Sequence, residues 1–277
     1  MEISAAEIKQ VRALREKKFR DESGLFFVEG EKMVSEALAS GFEVVRVYRR
    51  EEVGEKVMER LSVLSTPSPV LAVLRQPEIS PLQPAASGRN DREMSGRNDK
   101  EMSGRNDRKN PENQSQPGNV ERSRDIFGGL CLALDAVRDP GNLGTIMRLA
   151  DWFGIDTIFA SPDTADVYNP KVIQASMGSI FRKRPIYCDL PKLCRDFKAA
   201  GMEVFGTFLG GENIYGAQLP KEGLIVMGNE AHGISVEVAA EVSRKITIPS
   251  FFEAAQGPES LNVAIATALT VSEFKRR

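Results

Sequence analysis

The chain has 277 residues, 41% hydrophobic and 27% charged, and a net charge of −2. That length allows two domains with real cores, the composition is that of an ordinary soluble protein, and the charge excludes a global basic field, so any nucleic-acid surface must be local. The three cysteines (Cys131, Cys188, Cys194) lack metal-ligand spacing, and their odd number points to a reducing cytoplasm rather than a disulfide framework. The single histidine, His232, argues against a zinc site built from several histidines. No apolar stretch reaches the about 18 residues of a membrane span, and Met1-Glu-Ile-Ser does not open a signal peptide.

Residues 1–75 read as a small α/β domain. Lys9 to Arg20 has Val11, Leu14 and Lys18 at helical spacing and carries six basic residues against one acidic. These charges are either a solvated helix face or a phosphate-binding surface, since clustered Lys and Arg release counterions from a nucleic-acid backbone. Leu25 to Val28 reads as a strand, Glu29 to Ala39 as a helix stopped by Gly41, and Phe42 to Tyr48 as a strand. Val57 to Leu61 reads as helical and Val70 to Leu74 as a short strand.

Residues 76–127 differ in kind. They hold three near-copies of an octad, beginning at Ser87, Ser95 and Ser103, of the form Ser-Gly-Arg-Asn-Asp. Apolar residues are too sparse to offset the entropy of ordering, and the nine basic residues are balanced by nine acidic ones, so the stretch reads as a flexible low-complexity linker.

Residues 128–277 alternate strand and helix: strands at Leu130 to Leu134, Thr157 to Ala160, Pro185 to Tyr187, Glu203 to Thr207, Leu224 to Met227 and Lys245 to Ile248. Helices are expected at Asn142 to Phe153, Val172 to Gly178, Leu190 to Ala200, Ser235 to Val242 and the C-terminus. This alternation predicts an α/β domain with a mainly parallel sheet covered by helices, whose ligands sit at the carboxyl ends of strands.

Three turns of this domain carry chemistry. The first strand runs into Asp135-Ala-Val-Arg-Asp-Pro-Gly-Asn-Leu-Gly-Thr-Ile-Met-Arg148, with Asn142 suited to a helix cap. The turn lacks the G-x-G-x-x-G fingerprint of a dinucleotide site, and the chain holds no G-x-x-x-x-G-K-[ST] loop. One histidine with no nucleophile elbow is a poor basis for a triad. Leu224-Ile-Val-Met-Gly-Asn-Glu-Ala-His-Gly233 is an apolar run broken by a glycine turn, and Ser260-Leu-Asn-Val263 opens an apolar helix with two capping residue types.

Together, Asn142-x-Gly144-x-x-x-Arg148, Val226 to Gly233, and Ile248-Pro249 with Ser260 to Val263 resemble the three motifs of the SpoU (TrmH-like) RNA 2′-O-ribose methyltransferases of the SPOUT superfamily, in order and spacing. Lys17-Lys-Phe-Arg20 and Gly24 to Lys32 resemble the substrate-binding domain often attached to them. The resemblance implies transfer of a methyl group from S-adenosylmethionine to a ribose 2′-hydroxyl of structured RNA, ribosomal before transfer RNA. It also implies a C-terminal SPOUT domain with a deep trefoil knot, and a homodimer with the cofactor near its interface. By resemblance Arg148 is the catalytic arginine, contributed across the dimer. Asn142 holds it or a phosphate, Glu230 shapes the pocket, and Ser260 and Asn262 bind RNA or orient Arg148. Backbone at Thr207, Leu209, Gly228, Ile248 and Leu261 grips the cofactor, with glycine at 228 leaving room for it. Arg12, Arg15, Lys17, Lys18 and Arg20 are the expected RNA contacts. No metal is expected, because a sulfonium already supplies a good leaving group.

Two positions depart from the family's pattern. His232 stands where many relatives have a small or polar residue and reads as a loop histidine without a catalytic role. The stretch from Ser250 to Glu259 is longer than usual, which reshapes the expected cofactor lip near Leu261. A non-catalytic RNA-binding protein of the same fold is the rival reading, and it is disfavoured by the presence of Arg148 and the glycine turn.

Overall fold

A computed structural model describes residues 3–77, 129–251 and 260–276. The octad repeats and most of the long stretch after Ser250 lie outside the described residues. The first unit comprises α1 (Ala5–Ala13), α2 (Lys17–Ser23), β1 (Leu25–Glu29), α3 (Glu31–Ala39), β2 (Val44–Arg49), α4 (Arg50–Val53), α5 (Glu55–Leu61) and β3 (Val70–Arg75). Its antiparallel sheet has the order β1-β3-β2. Side chains alternate faces along a strand, so Leu71 and Val73 of β3 pack with Ile8, Val11 and Met58 under α1 and α5. Val70, Ala72 and Leu74 turn the other way. Covered on both faces, the middle strand must be apolar throughout, as it is.

The expected single basic helix is two. Helix α1 ends in tighter turns at Leu14 and Arg15, and α2 begins two residues later. The cause is Arg20, whose guanidinium is 2% exposed and donates to the carbonyls of Leu14 and Arg15, both at 2.8 Å. Those carbonyls are thereby satisfied by a side chain rather than by a continuing helix.

The second unit comprises β4 (Leu130–Leu134), α6 (Pro140–Trp152), β5 (Ile158–Ala160), α7 (Pro170–Ser176), β6 (Pro185–Tyr187), α8 (Leu190–Ala199), β7 (Val204–Asn213), β8 (Gly223–Met227), α9 (Val236–Ala239), β9 (Arg244–Thr247) and α10 (Val263–Arg276). Its parallel sheet has the order β6-β5-β4-β8-β7-β9. Strands β4 and β8 are buried on both faces, as parallel strands between helical layers must be. Two expectations about length were off. Helix α9 stops at Ala239, and β7 runs past Thr207 to Asn213, pairing with β9 again after a four-residue excursion over 208–211.

One of the buried clusters is shared by the two units. Phe26, Val28, Ala72 and Leu74 of the first sheet join Leu130, Leu132, Leu143 and Ile146 of the second in a single buried cluster. The ring of Phe26 lies 4.7 Å from that of Tyr168, and Phe42 meets Phe181 edge-on at 5.3 Å. The ion pair of Arg20 with Asp166, at 2.5 Å, and that of Arg182 with Glu36, at 2.8 Å, also cross the junction.

Candidate functional site

Helix α6 places the first set of residues. Asp139, not Asn142, caps it: its carboxylate accepts from the Asn142 backbone N–H at 2.8 Å, and Pro140 follows at the first helical position. The Asn142 side chain is thereby free for other partners. Gly144 is needed for packing: a Cβ there would lie 2.5 Å from the Val172 carbonyl oxygen and 2.6 Å from the Ala175 Cβ, so α6 and α7 cross too closely for any side chain.

Three motifs meet at Asn142. Its amide nitrogen donates to Glu230 Oε1 at 2.7 Å, and its amide oxygen accepts from Asn262 Nδ2 at 2.9 Å. Asn262 Oδ1 in turn accepts from the backbone N–H of Ala264 and Ile265 and so caps α10. The chain Glu230–Asn142–Asn262 links residues 88 and 120 positions apart and lies at the exposed carboxyl edge of the sheet.

Arg148 is not joined to this chain. Six residues along α6 is a rotation of about 240° from Asn142. It lies with Thr145 and Trp152 on the exposed side of the helix, opposite the buried Leu143, Ile146, Met147 and Ala150. Among the described residues Arg148 makes no ion pair. Ser260 is exposed beside the start of α10.

Of the expected cofactor residues, Thr207 and Leu209 lie within β7, Gly228 directly follows β8, Ile248 directly follows β9, and Leu261 precedes α10. Thr207 Oγ1 donates to the Val226 carbonyl at 3.2 Å, tying β7 to β8 beside Gly228. Leu209 is 81% exposed on the excursion from β7, where its carbonyl accepts from Thr247 Oγ1. Ile248 is half-buried after β9, and Leu261 is exposed. The reason for glycine at 228 differs from the expected one. A Cβ there would lie 2.3 Å from the Gly233 carbonyl carbon and 2.4 Å from the Ile234 nitrogen, so the chain's own returning backbone, rather than a ligand, occupies that side.

Of the expected RNA-contacting residues, Arg12, Lys17 and Lys18 are exposed, with Lys17 and Lys18 paired to Asp21 and Glu22 one turn on. Arg20 is not available to RNA, because it is buried against Asp166 and the α1 carbonyls. The Arg15 guanidinium donates to the carbonyls of Leu61 and Ser62, and burial holds its pKa down. It is a strut between α1 and α5 rather than a free cation.

Two residues that build the site escaped the sequence reading. Asn229 folds the 228–234 loop: its Oδ1 accepts from the N–H groups of Ala231 and His232, and its Nδ2 donates to the Ala136 carbonyl at 2.7 Å. Asp135, nearly buried at the end of β4, accepts from the Ser235 N–H at 2.7 Å. The signal was an Asx-type residue directly after Gly228 and an acid directly after an apolar strand. Among the described residues, no three His, Cys, Asp or Glu side chains are grouped to hold a metal ion.

The model of the SpoU rRNA Methylase family matches residues 129–272, and that of the MRM3-like substrate binding domain matches residues 5–54. The 23S rRNA (guanosine(2553)-2′-O)-methyltransferase RlmP of Bacillus subtilis is 27% identical over 97% of this chain and 95% of its own. Among solved structures, one of a TrmH-family protein from Porphyromonas gingivalis is 34% identical, with a TM-score of 0.75 and coverage of 100% of this chain and 99% of that one. An AdoMet-bound rRNA methyltransferase from Sinorhizobium meliloti is 29% identical, with a TM-score of 0.73 and coverage of 100% and 96%.

Proposed function

The chain belongs to the SpoU rRNA methylase family, and we propose from that membership that it transfers a methyl group from S-adenosylmethionine to a ribose 2′-hydroxyl of ribosomal RNA. The observation that carries this reading is the Glu230–Asn142–Asn262 chain, which draws all three motifs to one point at the carboxyl edge of a parallel sheet. The ends of β7, β8 and β9 lie side by side there and offer backbone donors and acceptors around Thr207, Gly228 and Ile248, a setting that fits the cofactor. When bound, the cofactor supplies an electrophilic methyl group on a sulfonium with a neutral thioether leaving group, and no metal is needed.

The residues of the chain divide the remaining work. The Arg148 guanidinium stabilises the developing ribose oxyanion and holds the adjoining phosphate, tasks that suit a permanently charged planar donor. Glu230 and Asn262 hold the Asn142 amide in one orientation, so that it positions the substrate or the arginine. Ser260 contacts RNA at the mouth. Arg12, Lys17 and Lys18 on the N-terminal unit bind phosphates.

Arg148 acts across a homodimer in this reading. It shares the exposed side of α6 with Trp152, which is 84% exposed, and α10, which packs on α6, presents Ile265 and Leu269 one turn apart. Apolar residues placed so are an interface in search of burial, and a second copy covers them. A deep trefoil knot in the C-terminal domain, which the resemblance to the family implies, belongs to the same reading. We place the enzyme in the cytoplasm, with its RNA.

The test incubates the purified full chain with radiolabelled S-adenosylmethionine and either unmodified large-subunit ribosomal RNA or unmodified transfer RNA, followed by mapping of 2′-O-methylated riboses. Label at a ribose of the ribosomal RNA is expected. Label on a base, or on transfer RNA alone, overturns the reading.

A further inference from the structure

The Glu230 loop has two sides. On one, Glu230 holds Asn142. On the other, Asn229, His232 and Gly233 border a cleft of about 600 Å³. Its floor is the carboxyl ends of β4, β5 and β6, which contribute Asp135, Ser161 and Cys188. None of the residues expected to grip the cofactor lines it. The cleft therefore adjoins the reaction centre without being part of the cofactor site.

Its chemistry is split between walls and rim. Pro162, Leu190, Pro191 and Val238 supply apolar surface. The rim carries Asp163, Asp189, Glu237, Arg138 and His232, all exposed. Asp189 spends one oxygen on capping α8, accepting from the Lys192 N–H at 3.0 Å, and a carboxylate retains further acceptor positions. Asp163 and Arg138 lie 3.9 Å apart with side chains 74% and 68% exposed, a pairing too weak to occupy either. Apolar walls of this kind fit the faces of a planar ring. Carboxylates only accept hydrogen bonds, so they select a ring edge bearing donors. Guanine is the standard base with two adjacent donors on one edge, its ring N–H and its amino group.

We propose that this cleft binds a splayed guanine base of the nucleotide next to the methylated ribose: Asp163 and Asp189 accept from its donor edge, the His232 ring stacks on its face, and Arg138 meets its phosphate. The inference rests on the RNA methyltransferase reading and extends it from the ribose to sequence selection. Unstacked bases in single-stranded RNA are read in this way, by an aromatic plate and edge hydrogen bonds. The 228–234 loop then serves both purposes, with Glu230 towards the ribose and His232 towards the neighbouring base.

Ligand-observed NMR on the full chain tests the cleft without requiring turnover. The probes are guanosine, inosine and adenosine 5′-monophosphates; inosine keeps the ring N–H and lacks the amino donor. Guanosine monophosphate is expected to bind, and the inosine analogue to bind at least about fivefold more weakly, as for one lost base-edge contact. Asp163→Asn with Asp189→Asn, which keeps the helix cap, is expected to abolish that difference, and His232→Ala to weaken the guanosine and inosine probes alike. Equal binding of the three nucleotides, no binding of any, or a guanine preference unchanged in the aspartate variants overturns the proposal. A methyl-transfer assay on the same preparations separates the two readings. Guanine binding with no transfer to any RNA overturns the enzyme assignment and leaves the cleft standing. Active variants with wild-type KM for RNA and wild-type guanine preference overturn the cleft alone.

Discussion

Asn262 donates its side-chain N–H to the side-chain oxygen of Asn142 at 2.9 Å, across 120 residues of chain, while its own oxygen caps α10. Capping and site assembly are thus one interaction. Asn142→Ala removes the link to Glu230 and the link to Asn262 but leaves Asp139 capping α6. Methyl transfer is expected to fall by about 10²-fold or more, with the melting temperature nearly unchanged because the amide is at the surface. A calorimetric scan and initial rates check both halves. A large drop in melting temperature would place Asn142 in the fold rather than in the chemistry.

Arg148→Ala is expected to cost about 10²–10⁴ in rate, with cofactor affinity intact by calorimetry. Because Arg148 is assigned to the partner's site, mixing Arg148→Ala and Asn142→Ala protein after subunit exchange restores activity. Half of the dimers are then mixed, each with one intact site, so about a quarter of the wild-type rate returns. A mixture no more active than its parents shows that Arg148 works within its own chain.

Arg20 and its exposed neighbours are expected to separate cleanly. Arg20→Met strands Asp166 without its partner at the junction of the two units and is expected to cost about 3 kcal/mol. Lys17→Ala with Lys18→Ala leaves stability unchanged and lowers the salt dependence of RNA binding, by about 0.7 in log–log slope per lost contact to single-stranded RNA. Urea titrations and binding at several salt concentrations distinguish them. Reversed outcomes would restore Arg20 to the RNA surface.

Gly228→Ala forces apart backbone that approaches to 2.3 Å of the added atom. The 228–234 loop must open, so cofactor affinity and stability fall together. Isothermal titration is expected to show at least about a tenfold loss of cofactor affinity, equivalent to about 1.4 kcal/mol. Wild-type affinity in this variant would show that the loop tolerates displacement.

Burial pushes the thiols of Cys131 and Cys194 up to about 12 and that of Cys188 up to about 11. A thiol whose folded pKa lies above its unfolded value of about 8.5 stabilises the fold fully below that value and loses its contribution as pH rises towards the folded value. Stability of the wild type therefore falls between about pH 8.5 and 11, by up to about 1.4 kcal/mol per pH unit for each of the fully buried thiols of Cys131 and Cys194 and by less for the partly exposed Cys188. Cys194→Ala, weaker at pH 7 from lost packing, is expected to show a shallower decline over that window. Parallel urea midpoints for the two proteins would refute the burial argument.

What was legible from the sequence was local. The apolar runs of β3, β4 and β8 announce strands covered on both faces, because a strand between two layers has no polar side to show. The alternation after residue 128 announces a parallel sheet, and the spacing of Asn142, Glu230 and Asn262 matches a known set of motifs. Less legible was any residue whose role depends on what the chain brings beside it. Arg20 looks like its five basic neighbours until the fold closes over it. Nor does any local pattern record that Phe26 and Leu74 of the first sheet pack into one cluster with Leu130 and Leu132 of the second, while Ile8, Val11 and Met58 keep a core of their own.

Most of the elements, the order of the motifs and the family are written along the chain, because propensity, periodicity and motif spacing are properties of neighbouring residues. It took the folded chain to show that Asp139 rather than Asn142 caps α6, which frees the Asn142 amide to join Glu230 and Asn262. The fold likewise shows that Gly228 makes room for the chain's own backbone. Hydrogen-bond partners and excluded volume are set by what arrives from distant parts of the chain, and no local pattern records them.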